Sequence, residues 1–192
     1  MKRGDWVIMG VILSMVIGCE TRSVYDRLVE RELATGEVND SLFLDFYFGQ
    51  TSKEFFENGW KQNKKGLIAQ GPGNQTVRYV MPNDKKGESP IHMLFYPDFD
   101  EQGKVKLMNL TFNYSGWAPW NRKFFSDSLL VAVQDTLMNW YGGNAFITIT
   151  MDDQKNDLLV KVDGNRMISL TVEGEQNVQG YIKDLTNTEN KE

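Results

Sequence analysis

Apolar side chains recur along this chain in two rhythms, one helical and one strand-like. Val24, Tyr25, Leu28, Val29 and Leu33 return at three- and four-residue steps, the spacing that lines one face of a helix. Gly36 is placed to stop that helix. The flanking residues are charged, so residues 19–40 read as a stalk or a short first helix. Leu42 to Phe48 (LFLDFYF) alternates, which predicts a strand with Leu42, Leu44, Phe46 and Phe48 on one face and Gly49 as its end. Thr51 and Glu54 have the spacing of a capping box, in which the hydroxyl and the carboxylate satisfy orphan N–H groups at a helix start. Phe55, Phe56 and Trp60 are the predicted apolar stripe of that helix, and Lys64-Lys65-Gly66 suits its end.

Strand-like runs follow at Thr76–Met81, Ile91–Tyr96 and Val105–Tyr114. In the last, Val105 and Leu107 point one way and Met108, Leu110 and Phe112 the other, so a bulge is expected near Met108. A second helix is predicted from Ser126, read as its N-cap. Leu129, Leu130, Val133, Leu137, Trp140 and Tyr141 form its apolar face, and Gly142-Gly143 ends it. Strands recur at Phe146–Thr150, Leu158–Val162, Met167–Val172 and Val178–Leu185, with a hairpin signal at Asp163-Gly164-Asn165.

Helix followed by strands therefore occurs twice. Successive strands joined by short turns imply antiparallel pairing. The expectation is an α+β fold: antiparallel sheet of seven to eight strands, with two main helices packed on one face. Two helix-plus-three-strand halves are one way to build it. Residues 41–185 form the expected domain, and residues 186–192 (TNTENKE) a frayed polar tail.

The N-terminus has a different pattern. Lys2 and Arg3 precede Trp6–Gly18, a thirteen-residue run without charge. A membrane-spanning helix needs about twenty apolar residues. The run instead fits the apolar region of a secretory signal peptide, with Asp5 offsetting one of the two positive charges. It ends Val16-Ile17-Gly18-Cys19, which resembles the bacterial lipobox. That resemblance implies a lipoprotein signal peptide over residues 1–18, cleaved before Cys19. The Cys19 thiol then receives a diacylglycerol, and its freed amine an acyl chain such as palmitate. Each buried methylene contributes about 0.8 kcal/mol, so two or three chains hold firmly. The implied address is the cell envelope, lipid-anchored to the outer membrane on its periplasmic or surface side.

Composition narrows the function. The chain has 192 residues, 41% of them hydrophobic, enough for a sizeable core. With 21 basic and 26 acidic residues the net charge is −5, which argues against a nucleic-acid partner. One Cys and one His exclude a disulfide framework and most metal constellations. No cofactor, metal ligand or catalytic residue is assigned. His92 lies in a strand-like run on the side of Leu94 and Tyr96 and reads as structural. A triad using Ser89 or Ser115 would be a purely spatial arrangement, and there is no nucleophile-elbow motif. Asp98–Gly103 (DFDEQG) resembles the start of a calcium loop, yet its twelfth position is Asn109, so it reads as an acidic hairpin turn. Asp152-Asp153 with Asn156-Asp157, and Gly71-Pro72-Gly73-Asn74, also read as turns.

The most distinctive segment runs from Tyr114 to Phe125 (YSGWAPWNRKFF). Trp117, Trp120, Asn121 and Arg122 are the candidate binding residues, since flat indole faces beside an amide and a guanidinium can stack on sugar rings or proline side chains. The alternative is that both Trp pack beneath the following helix as a local core plug.

Three stretches resemble an uncharacterised family of Bacteroidota envelope lipoproteins. They are Glu32–Gly36 running into Asp40–Leu44, then Trp117–Asn121, then Val162–Arg166. Phe48–Glu54 is similar to the Gly-x-Thr-x-x-Glu helix entry of small outer-membrane assembly lipoproteins and β-lactamase-inhibitor-like modules, although Lys65-Gly66-Leu67 stands where their Gly-x-Pro usually follows. The leading expectation is a lipid-anchored, non-catalytic binding module with an unknown protein or glycan ligand. An accessory component of an outer-membrane assembly complex is the second, and an envelope hydrolase using carboxylates the third.

Overall fold

The computed structural model describes residues 23–82, 89–150 and 157–187. Val16, Ile17, Gly18 and Cys19 lie outside them, as do Asp152, Asp153 and Asn156. Helix α1 spans Val24–Ala34, α2 Ser52–Lys64 and α3 Ser126–Tyr141. Strands β1 to β8 are Ile68–Gln70, Val77–Val80, Ile91–Phe99, Val105–Tyr114, Ile147–Ile149, Leu158–Asp163, Arg166–Glu173 and Asn177–Asp184. They form one antiparallel sheet in the order β1-β2-β3-β4-β8-β7-β6-β5. The fold is α+β. Each of α2 and α3 is followed by a four-strand meander, and the two meanders meet where β4 pairs with β8. The first half has four strands and not the expected three, because the three-residue β1 is too short to show alternation; the four strands after α3 are those the sequence predicts.

Helix α1 begins at a capping box formed by Ser23 and Asp26, and the chain leaves it through Gly36 at φ 68°. Helix α2 has the capping box expected at Thr51 and Glu54. Its inward face differs from the prediction. Phe55 is buried, together with the polar Asn58 and Gln62, while Phe56 and Trp60 are 56% and 62% exposed. The reason lies in the segment before it. Residues 42–48 form a turned loop and not a strand: Leu44 and Asp45 have φ of 50° and 62°, and the Leu42 N–H donates to the Phe46 carbonyl at 2.9 Å. Leu42, Phe43, Phe46 and Phe48 are all buried, which alternation cannot achieve. The loop leaves the Leu44 carbonyl turned towards α2, where the Asn58 and Gln62 amides donate to it at 2.9 and 3.1 Å.

The phase change in β4 is a bulge, two residues earlier than expected. Asp98 pairs with Leu107 and Phe99 with Val105, leaving Lys106 as the extra residue. Val105, Met108, Leu110 and Phe112 thereby share one buried face. Ser126 is not the cap of α3; Phe125 holds that position without a side-chain cap. Ser126 lies inside the first turn, its hydroxyl donating to the Gly174 carbonyl at 2.7 Å and its N–H to Glu175 at 3.0 Å.

Two apolar clusters sit on opposite faces of the sheet. The larger joins Met93, Phe95, Leu110, Phe112, Ile168 and Ile182 to Phe55 of α2 and to Leu129, Val133 and Leu137 of α3. The smaller joins Leu28 of α1 to Val160, Val162 and Met167. Met167 and Ile168 are consecutive in β7, so their side chains leave the sheet in opposite directions, and both are buried. The β6–β7 corner is therefore covered on both sides, and burial runs unbroken from Val160 to Leu170 although Lys161, Asp163, Asn165, Arg166 and Ser169 are polar.

Candidate functional site

The connection from β4 to α3 carries the sequence-predicted binding residues. The Ser115 N–H donates to the Pro90 carbonyl at 2.9 Å and the Gly116 N–H to the Ser89 hydroxyl at 2.7 Å, which fixes the exit from the sheet. Asn121 donates its N–H to Ala118 at 2.9 Å and opens a 3-10 turn over Arg122–Phe124. The two Trp residues part company here. Trp117 is half-buried with its ring 5.9 Å from that of Phe125, the packed position of a plug. Its Nε1 is buried without an acceptor among the described residues. Trp120 is 86% exposed. Asn121 is half-buried and Arg122 exposed, the latter with its guanidinium 4.4 Å from the centre of the Phe125 ring. The connection thus offers one free indole face and one cation.

A second cluster lies at the β6–β7 turn and was not foreseen. A cleft of about 300 Å³ is lined there by Glu32, Glu37, Asn144, Tyr141, Asp163 and Arg166 among others. Lys161, fully buried, places its Nζ 2.6 Å from Asp163 Oδ2 and donates to the Asn144 carbonyl. Asp163 Oδ1 accepts from the Asn144 N–H at 2.7 Å. Arg166 lies 3.9 Å from Asp163, donates to the Ser41 carbonyl at 3.1 Å and stacks on Tyr141 at 4.4 Å. Tyr141 in turn donates to the Leu42 carbonyl at 2.9 Å. Asn39 donates its N–H to Asn165 Oδ1 at 2.6 Å, and the Gly164 N–H reaches Glu32 Oε2 at 3.4 Å. Gly164 has φ 55°, and a Cβ there would run into the Glu37 carbonyl, so the turn admits only glycine.

The electrostatics follow from this packing. Burial pushes the Glu32 carboxyl up, but hydrogen bonds from Arg31, Gly164 and Asn144 outweigh it and hold the group below its usual range. Burial raises the Tyr141 hydroxyl, against the opposing pull of Arg166. Burial also lowers Arg166, with Tyr141, Asp163 and Glu37 restoring part of the loss. The carboxylates of the corner are occupied by cations and amide donors, which makes it a clasp joining α1, the 36–42 segment and the β6–β7 turn. Two of the three stretches quoted for the resemblance, Glu32–Gly36 running into Asp40–Leu44 and Val162–Arg166, meet in this clasp. The one local signal was Lys161, a lone charge between two valines of a strand.

His92 projects from β3 opposite Asn113. Burial first, and the Arg78 charge second, lower its pKa. Of Asp98–Gly103, Asp98 and Phe99 end β3 and Asp100–Gly103 lie in the hairpin turn to β4, with Asp100 Oδ1 accepting from the Gln102 and Lys104 N–H groups at 2.9 and 2.8 Å. Pro72–Asn74 is a short 3-10 turn, as its glycines suggested. Among the described residues no group of three or more His, Cys, Asp or Glu could hold a metal ion. No described helix is long and apolar enough to cross a membrane. Compared with protein-family models, curated proteins and solved structures, the chain shows no match.

Proposed function

We propose that this protein is a lipid-anchored module of the cell envelope that binds a partner without catalysing a reaction. The observation that carries the reading is the position of Cys19. The sole Cys ends the apolar run and stands four residues before Ser23, the N-cap of α1. A folded body held so close to acyl chains is a tethered one. In this reading α2 and α3 close one face of the sheet, and the opposite face, which among the described residues α1 covers at the β6–β7 corner, is left for binding. The exposed Trp120 and Arg122 supply a second contact point. The clasp supports the non-catalytic part, because its carboxylates are engaged in holding α1. Replacing Cys19 by Ala tests the anchor: the protein is expected to leave the membrane fraction, and unchanged fractionation would defeat the reading.

The outer face of α2 favours a second reading, as an accessory of an outer-membrane assembly complex. Phe56 and Trp60, one turn apart on α2, are exposed, and Lys64 sits 5.2 Å over the Trp60 ring. Exposed aromatic side chains with a flanking cation suit a protein contact. Co-purification of a stable complex that Trp60→Ala abolishes would favour this reading, and purification of the protein alone would count against it.

A further inference from the structure

Among the described residues no helix packs over β3, β4 and β8 on the sheet face turned away from α2 and α3. The register there arranges side chains in rows across the three strands. One row is Tyr96, Asn109 and Tyr181. The next is Leu94, Thr111 and Gln179, in which the Thr111 hydroxyl donates to Gln179 Oε1 at 2.9 Å and Gln179 Nε2 to Glu173 at 2.6 Å, fixing the amide. The third is His92, Asn113 and Asn177. Tyr96 and Asn109 are exposed and the other seven half-buried.

None of these nine positions is Asp, Glu, Lys or Arg; the charged side chains of this face stand around them, Arg78 beside Leu94, Glu173 beside Asn177, and Asp98 and Lys183 in the adjoining row. At the 24% charged content of the chain a surface patch of this size would carry about two charges, and solvated faces are normally richer in charge than the chain as a whole. His92 adds none at pH 7, since its pKa lies below the ordinary 6.5. What remains is amide, hydroxyl and phenol, with one imidazole and the Leu94 side chain. The side chains of Asn109, Asn113 and Asn177 have no hydrogen-bond partner among the described residues, so each presents a donor and an acceptor outwards. Tyr96 adds a ring with an apolar face and a polar tip.

Size selects among neutral partners. Strands lie about 4.8 Å apart and alternate residues about 6.7 Å apart, so the uncharged patch covers roughly 300 Å². A standard protein interface needs about 800 Å² from each side. The backbone of β4 and β8 is paired on both sides, so a peptide cannot be added here as a strand. An uncharged, hydroxyl-rich chain a few rings long fits both the area and the donor–acceptor pattern. Resting on the binding-module reading above, we infer that the face formed by β3, β4 and β8 binds a neutral oligosaccharide.

The test is calorimetric titration of the detergent-solubilised full chain with neutral hexasaccharides of glucose, mannose, xylose and N-acetylglucosamine. Binding by at least one is expected, weakened about tenfold or more by Tyr96→Ala and by Asn109→Ala with the melting temperature unchanged. Absence of binding across the panel, or binding indifferent to both substitutions, would overturn the inference. A photo-crosslinking residue at position 109 in cells separates the two readings. A protein adduct there overturns the glycan ligand but keeps the binding module, and no adduct together with no saccharide binding overturns this face as a binding surface.

Discussion

The Nζ of Lys161 lies 2.6 Å from Oδ2 of Asp163, and the lysine side chain has no exposed surface. A charge placed so deep is tolerated because its counter-charge and the Asn144 carbonyl are beside it. Asp163→Ala leaves Lys161 without its carboxylate and is expected to cost about 3–5 kcal/mol. Urea unfolding measures the loss. A change below about 1 kcal/mol would mean that the pair does not hold the corner together.

Glu32 gives that corner an acid limit. Its folded pKa lies below the ordinary 4.5, so as pH falls the unfolded chain takes up the proton first. The stabilisation is present above the ordinary value and is lost as pH drops through the folded one. Melting temperatures at pH 7 and pH 3.5 should differ less in Glu32→Gln than in the unsubstituted protein. Glu54, lowered by its bonds to Thr51, contributes in the same direction in both and cancels in the comparison.

Helix α2 separates two neighbouring phenylalanines. Phe55 is 2% exposed and packs against Phe46 with ring centroids 4.6 Å apart, whereas Phe56 is 56% exposed. Phe55→Ala is expected to cost about 3–5 kcal/mol. Phe56→Lys should stay within about 0.5 kcal/mol. Thermal or urea denaturation of the two variants checks the assignment, and equal losses would contradict it.

The two tryptophans of the β4–α3 connection should likewise behave differently. Trp117→Ala removes a ring packed on Phe125 and is expected to destabilise by about 1–3 kcal/mol, while Trp120→Ala changes stability by no more than about 0.5 kcal/mol. The same denaturation measurements decide, and a large loss at Trp120 would place it in the core.

Much of this fold was legible in the residues, for reasons that also explain the misses. Local rules with a fixed stereochemical cause survived: the Thr51–Glu54 capping box, the turn at Gly164, the glycines after α3. Periodicity failed wherever non-local partners set the backbone. Residues 42–48 alternate like a strand, yet four of their side chains fill one cluster through a turn. Phe56 and Trp60 share the helical spacing of a buried stripe, but the Leu44 carbonyl draws Asn58 and Gln62 inward in their place. Ser126 has the chemistry of a cap and spends its hydroxyl on Gly174, forty-eight positions away. The clasp was illegible for the same reason, since Glu32, Asn144 and Asp163 come from three distant segments. The Trp117–Arg122 segment was correctly placed on a strand-to-helix connection, but spacing alone does not say which indole turns inward.

The lipid anchor is the claim on which the proposed role stands, and intact-mass spectrometry of the protein extracted from cell membranes tests it most directly. The expected species begins at Cys19 and carries the added mass of a diacylglycerol and a further acyl chain. A species that still begins at Met1, or one cleaved but without lipid, would contradict it.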